Sequence, residues 1–266
     1  MGDFGSDGGS DGGSDGGSGR GGIVIADPAV VLSGALDAGV TPEEYDVGAK
    51  FPLAAWRPDL FALTVIPEFC ATTPDWRTID IKTIVPYDDD ITKAEIEKLE
   101  SKYGQRNEKK PEILAQDTGI ENYFAHLLML RKSSHQNTFI VIRMCLAVGQ
   151  LVAMHFKKKY NRGRPQQVFP RVFPIIPPPA HPSYPSAHSL ESYLIAYALA
   201  QQVVPREEKL LIALGKRLAE NREVAGVHYP SDTEAGRRLA SMVLERLSQC
   251  DSFKGAVLAA KKEHEA

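Results

Sequence analysis

The sequence predicts an all-α domain of the compact helical bundle type, and three observations carry that prediction. Apolar residues recur at helical spacing along most of the chain, the alternation that a half-buried strand needs is nearly absent, and one proline-dense loop divides two blocks of helices. With 266 residues and a hydrophobic fraction of 43%, the chain can fill a sizeable core by burial alone.

The elements follow in order. Met1–Gly22 repeats Gly, Ser and Asp and reads as a low-complexity flexible tail, which leaves 23–266 as one domain. The tail lacks the cationic-then-apolar pattern of a signal peptide, so a cytoplasmic address is the default expectation. Gly2 followed by Ser6 matches an N-myristoylation pattern, but Gly/Ser repeats produce such a match by chance. From Ile23 to Ala71 apolar patches mix with the turn signals Thr41-Pro42 and Arg57-Pro58, giving short helices and loops draped over a core. Asp90–Tyr103, with Ile91, Ile96 and Leu99 among charges, then Asn122–Leu130 and Asn137–Lys159, carry longer helical patterns. The most apolar stretch, Phe139–Phe156, is interrupted by Arg143 and Gln150, whereas a bilayer asks for about 20 apolar residues in a row. It is expected to be a buried helix rather than a membrane span. Between Arg164 and Tyr184 the prolines, including Pro177, Pro178 and Pro179, exclude a regular helix and give a stiff extended loop. Ser189–Val203, with Leu190, Leu194, Tyr197 and Leu199 at helical spacing, then Arg206–Glu223 and Ser231–Leu247, complete the bundle.

Composition excludes several classes of function. Lys+Arg number 31 against Asp+Glu 34, a net charge of -3, which does not suit a nucleic-acid binder and makes any basic site a local one. Cys70, Cys145 and Cys250 are odd in number and widely spaced, and read as buried free thiols rather than a disulfide framework or a thiolate metal knuckle. A homo-oligomer is compatible with the sequence, although nothing in it calls for one.

Chemistry concentrates in three short blocks. In the first, Lys157-x6-Arg164-Pro165, a helix end delivers a compact ammonium and the following turn a rigid guanidinium fork, both suited to phosphate oxygens. Pro165 is expected to stop the helix and aim Arg164. Taken alone, Lys157, Lys158, Lys159 and Arg162 also read as a solvated basic helix end. The second block, Pro185-Ser186-Ala187-His188, opens an apolar helix, and a helix start leaves backbone N–H groups free to meet an anion. Ser186 can add a hydroxyl donor and His188 stands in the first turn, although a plain N-cap beside a surface histidine fits the same letters. In the third block, Arg222-x5-His228-x3-Asp232, Ser231 and Glu234 resemble a capping box that puts Asp232 at a helix start, within reach of the His228 ring. A carboxylate on one imidazole nitrogen frees the other as a nucleophile, or serves as an ordinary structural hydrogen bond.

In order and spacing, the three blocks together resemble the signature of the type 2 phosphatidic acid phosphatase and vanadium haloperoxidase superfamily. The likeness spans 157–232. It extends to the soluble bacterial class A acid phosphatases, whose Lys-Lys, Tyr and Arg-x-Arg-Pro pattern is matched by Lys157, Lys158, Tyr160, Arg162, Arg164 and Pro165, with Tyr184 before Pro185. Two positions depart from the pattern: Ala187 stands where glycine is usual, and Asn221 precedes Arg222 where serine is common.

The resemblance implies a phosphomonoesterase that needs no metal or other cofactor and works through a phosphohistidine. His228, oriented by Asp232, would be the nucleophile, and His188 the general acid and then base. Lys157, Arg164, Arg222, Ser186 and the N–H of Ala187 would hold the phosphate oxygens. The partner would be a small phosphorylated substrate or inorganic phosphate. Class A relatives are typically exported, at odds with the cytoplasmic default. The same residues suit a vanadium-dependent haloperoxidase with vanadate on His228, a reading that His181-Pro182-Ser183-Tyr184 favours and the compact length disfavours. A phosphate-binding module without turnover is a third reading, resting on Ala187. A zinc site from His181, His188, His228 and Asp232 would face repulsion from Lys157, Arg164 and Arg222. His126, His135, His155 and His264 read as scaffold or surface groups.

Overall fold

The long apolar run becomes the longest helix among the described residues and one side of the core. The computed structural model describes residues 49–52, 55–81, 89–117 and 119–265. The expected tail, 1–22, lies outside the described residues. Of the unit Met1–Ala55 only 49–52 and 55 are described, and Trp56–Ala266 forms a second unit, which holds every block singled out above.

Within that unit the order is α1 Pro58–Ala62, α2 Val65–Thr72, a 3-10 turn at Pro74–Thr78, α3 Asp89–Glu100, α4 Arg106–Gln116, α5 Glu121–Leu127, α6 Gln136–Tyr160, α7 Pro165–Val168, α8 Ala187–Ala198 continuing as a π-type turn over Leu199–Val203, α9 Glu208–Val224, α10 Pro230–Leu247 and α11 Asp251–Glu263. The fold is all-α, with no strand among the described residues. Helix α8 is the hub, packed against α6, α9 and α10, while α1 and α11 cover the rest of α6. Its Leu190, Leu194, Ile195 and Leu199 are fully buried, which is why an apolar sequence becomes a central helix.

Two glycines let the helices approach α8 closely. A Cβ on Gly215 of α9 would lie 3.1 Å from both Ala196 Cβ and the Ser192 carbonyl oxygen. On Gly236 of α10 it would lie 2.6 Å from the Ser186 carbonyl oxygen and 2.7 Å from Ser189 Cβ. Helix α10 therefore rests directly on the first turn of α8, where the second block sits.

Helix α6 belongs to the one run among the described residues, Gln136–Val168, that is long and apolar enough to cross a membrane, with mean hydropathy 1.8. A core helix meets the same criterion, and Ile140, Val141, Met144, Val148, Val152 and Phe156 are buried inside the bundle.

Several local expectations need correction. Helix α6 ends at Tyr160 because Asn161 turns left-handed (φ 46°), so Pro165 does not stop it; Pro165 opens α7, where the missing N–H costs nothing. The proline-dense loop thus contains one helical turn. Helix α10 starts earlier than the Ser231/Glu234 capping box implies. Its N-cap is Tyr229 with Pro230 at the first position, Asp232 accepts the Tyr229 N–H (3.0 Å), and Glu234 pairs instead with Arg237 and Arg238. Helices α4 and α11 carry only thin apolar stripes, Ile113 in one and Phe253, Ala256, Val257 and Ala260 in the other, and no expectation covered them. The three thiols are free, with Cys145 and Cys250 buried and Cys70 half-buried, and burial pushes the Cys145 thiol up.

Candidate active site

Each block reaches the site from the end of a helix, and backbone hydrogen bonds stitch the blocks together. Lys157 leaves the last turn of α6, where its buried ammonium donates to the carbonyls of Pro182 (2.7 Å) and Ser183 (3.0 Å) in the proline-rich loop. Ser183 N–H donates to Arg162 O (2.8 Å), and Ser186 N–H donates to Asp232 O (3.0 Å), so the loop is tied to both other blocks. Between these two contacts the Tyr184-Pro185 peptide bond is cis.

Arg164, the N-cap residue of α7, is buried and spreads its fork across the site. Its Nε donates to His181 O (2.9 Å) and its Nη1 to Val227 O (2.7 Å), while Nη2 lies 3.1 Å from His181 Nδ1. The same Nη1 stands 3.5 Å from His228 Nε2, placing that ring nitrogen on the cationic side. The opposite nitrogen, Nδ1, lies 3.0 Å from Asp232 Oδ2. Asp232 also accepts from the Ser183 hydroxyl and, on Oδ1, from Arg162 Nη1 (2.8 Å). With Nδ1 donating to the carboxylate, Nε2 keeps its lone pair facing Arg164.

Arg222, in the last turn of α9, is fully buried. Its Nη2 donates to Asp117 Oδ1 (3.1 Å), while Nε and Nη1 have no protein partner. An unmatched guanidinium of this kind is costly to bury and suits an anion. Ser186 is the N-cap of α8: its hydroxyl oxygen accepts the Ser189 N–H (3.3 Å), leaving its own proton to donate. The first-turn N–H groups, including that of Ala187, have no acceptor within the helix. His188 follows, half-buried, close enough to Arg222, His228 and Lys157 for each to lower its basicity.

Burial and mutual repulsion shape the charges. Burial and the charge of Arg164 bring Lys157 down to about 7. Burial lowers Arg164 to about 10 and also depresses Arg222, whose partner Asp117 opposes the shift. Burial, then Arg222 and His228, hold His188 well below the usual imidazole range, against a hydrogen bond to the Gln116 backbone. Burial takes His228 down to about 3 even though its hydrogen bond to Asp232 acts the other way. Asp232 is disfavoured as an anion by burial, but His228, Arg162 and Ser183 together hold it at about 2. Both imidazoles are therefore neutral at pH 7 in a region of excess positive charge.

All eight residues singled out in the sequence thus meet in one region, and the structure adds others. Arg162 is a structural partner of Asp232 rather than a solvated helix end, and Ser183 is a second donor to the same carboxylate. Asp117 supplies the counter-charge for Arg222. Glu191, one turn after His188, is raised by burial to about 8 despite the nearby Lys157. Signals for Arg162 and Ser183 were present in the Arg-x-Arg-Pro and His-Pro-Ser-Tyr strings, whereas Asp117 and Glu191 lie in stretches with no local pattern. His155 packs edge-on to Trp76 (4.9 Å), His135 lies 5.2 Å from His264 and His126 is exposed, as scaffold and surface groups would be. Among the described residues no three His, Cys, Asp or Glu side chains form a metal-binding group.

Fold and site together define a class: an all-helical protein in which three separated blocks at helix ends bring basic and imidazole side chains together. Residues 139–254 match the family model of the PAP2 superfamily. The chain is similar to a non-specific acid phosphatase of Salmonella typhi, 31% identical over 81 residues that make up 30% of this chain and 32% of that protein. A non-specific acid phosphatase of Providencia stuartii is 25% identical over 170 residues, 59% of this chain and 68% of that one. The chain thus matches about a third of the length of the Salmonella typhi relative. Among solved structures, the first transmembrane PAP2 type phosphatidylglycerolphosphate phosphatase from Bacillus subtilis covers 73% of this chain and 92% of its own, at 15% identity and a TM-score of 0.34, too low to support an argument.

Proposed function

We propose that this chain is a phosphomonoesterase of the acid phosphatase kind, which needs no metal or other cofactor and forms a phosphohistidine on His228. The observation that carries the reading is Arg222, a fully buried guanidinium with two unpartnered nitrogens beside two neutral imidazoles and the cations of Lys157 and Arg164. A phosphate dianion would satisfy those donors and return charge to Lys157.

The chemistry follows from the two rings. His228 Nε2, with Nδ1–H held on Asp232, attacks phosphorus in line with the leaving oxygen. The P–N bond forms as the P–O bond breaks. His188 gives its proton to the departing alkoxide, then removes one from the water that attacks the phosphohistidine, releasing inorganic phosphate and free His228. Lys157, Arg164, Arg222, Ser186 and the Ala187 N–H hold the equatorial oxygens while charge builds on them. His188 is neutral in the empty site, so the proton it donates arrives with the anion, whose charge offsets Arg222. A bell-shaped pH profile with an acidic to near-neutral optimum follows.

The experiment is hydrolysis of p-nitrophenyl phosphate beside halide oxidation by peroxide with added vanadate. Hydrolysis without oxidation supports the reading. Oxidation without hydrolysis would instead support a haloperoxidase with vanadate on His228, and phosphate binding that survives H228A with no turnover in the parent protein would support a binding module.

A further inference from the structure

Asp232 is held from outside the three blocks as well as from within them. Arg162 sits over the Tyr229 ring, its guanidinium carbon 3.8 Å from the centroid, and its fork divides three ways. Nη1 donates to Asp232 Oδ1 (2.8 Å) and to Ser231 Oγ (2.7 Å), and Nη2 donates to Glu95 Oε2 (2.7 Å). The other oxygen of Glu95 accepts the Ser231 N–H (2.8 Å) at the start of α10. Glu95 belongs to α3, is buried, and lies outside the 139–254 segment that matches the superfamily. One carboxylate from a separate helix therefore closes a ring through Arg162, Asp232 and Ser231.

We infer that Glu95 is a positioning residue for the His228–Asp232 pair, acting through Arg162. This rests on the phosphotransfer reading above. The Asp232 carboxylate can present Oδ2 to His228 Nδ1 only while its other oxygen is held, and Arg162 is the side chain that holds it. Arg162 in turn keeps its plane because Glu95 grips the far nitrogen and Tyr229 lies beneath. Glu95 also balances the Arg162 charge, which would otherwise draw the Asp232 electrons away from the imidazole. Neither residue touches the pocket cations, so their loss should affect turnover and spare phosphate affinity.

The test compares the parent protein with E95Q, which keeps shape and removes charge, and with R162K, which keeps charge and loses the fork. With p-nitrophenyl phosphate, kcat is expected to fall about 10- to 100-fold in both, the cost of a catalytic pair displaced by a fraction of an ångström, while KM and the inhibition constant of inorganic phosphate stay within about threefold. The downfield Nδ1–H proton resonance of His228 is expected in the parent and shifted or broadened away in E95Q; it reports on the pair even without turnover. An unchanged kcat and an unchanged resonance in folded E95Q would overturn the inference, as would an equal loss of kcat and phosphate affinity. If E95Q does not fold, R162K decides by the same measurements. Absence of hydrolysis in the parent, with the resonance still sensitive to E95Q, would count against the phosphatase reading and leave the positioning role standing.

Discussion

Gly236→Ala places one methyl group where α10 meets the first turn of α8. The new Cβ would lie 2.6 Å from the Ser186 carbonyl oxygen, 2.7 Å from Ser189 Cβ and 2.9 Å from Leu190 N, two of the three being backbone atoms that cannot swing aside. The closest approach is roughly 0.8 Å short of ordinary contact, so the helices must separate by a comparable amount in an interior packed as densely as a crystal. Overpacking on this scale costs about 1–3 kcal/mol, which at about 2–4 °C per kcal/mol lowers the melting temperature by roughly 2–12 °C. The separation falls on the Ser186 N–H to Asp232 O bond and on the Ser189 hydroxyl that donates to Thr233 O (2.6 Å), so the second and third blocks move apart. A shift approaching 1 Å costs on the order of 100-fold in turnover. Thermal melts and p-nitrophenyl phosphate kinetics measure both effects. Gly255→Ala, exposed in α11 with nothing within 4 Å of the new carbon, is the control and should gain about 0.5–1 kcal/mol from helix propensity. A G236A protein that melts and turns over like its parent would refute this account of how the site is held.

Other perturbations give equally direct outcomes. Glu191 binds its proton more tightly folded than unfolded, so its burial lowers stability progressively as pH rises from 4.5 to about 8; E191Q should be the more stable protein at pH 8, with the gap in denaturant midpoints closing by pH 4.5. His228 shows the opposite sign: the unfolded chain takes up a proton that the folded one refuses, so stability should fall as pH drops from 6.5 towards about 3, and inorganic phosphate should offset part of the loss. Inorganic phosphate at 100 times its Kd should stabilise the protein by about 2.7 kcal/mol, a rise of roughly 5–11 °C in melting temperature. That rise should shrink markedly in R222Q, which removes the fork with the unmatched donors.

The helices legible in the sequence were those with wide apolar faces. Leu190, Leu194 and Leu199 in α8 and the run through Val141, Val148 and Val152 in α6 repeat at helical spacing because they fill the centre of the bundle. Helices α4 and α11 bury only a stripe and leave little periodic trace, and Pro111 inside α4 argues locally against a helix that tertiary contacts nevertheless maintain. Helix starts were misplaced for a physical reason as well. Pro165 and Pro230 both occupy first helical positions, so the Pro165 that reads as a stop is an opening. The site was legible where its residues are close in sequence: His228 and Asp232 are four apart and do pair. Arg162 with Glu95 and Arg222 with Asp117 were hidden, because partners 67 and 105 residues apart leave no spacing to recognise.

The central claim is that His228 Nε2 takes the phosphoryl group from the substrate. Mixing the protein with p-nitrophenyl phosphate, quenching in alkali, where phosphohistidine survives, and mapping the adduct by mass spectrometry tests it most directly. The account predicts a phosphoryl group on His228 that is absent from H228A. Steady hydrolysis with no adduct, or an adduct on another residue that persists in H228A, would contradict it.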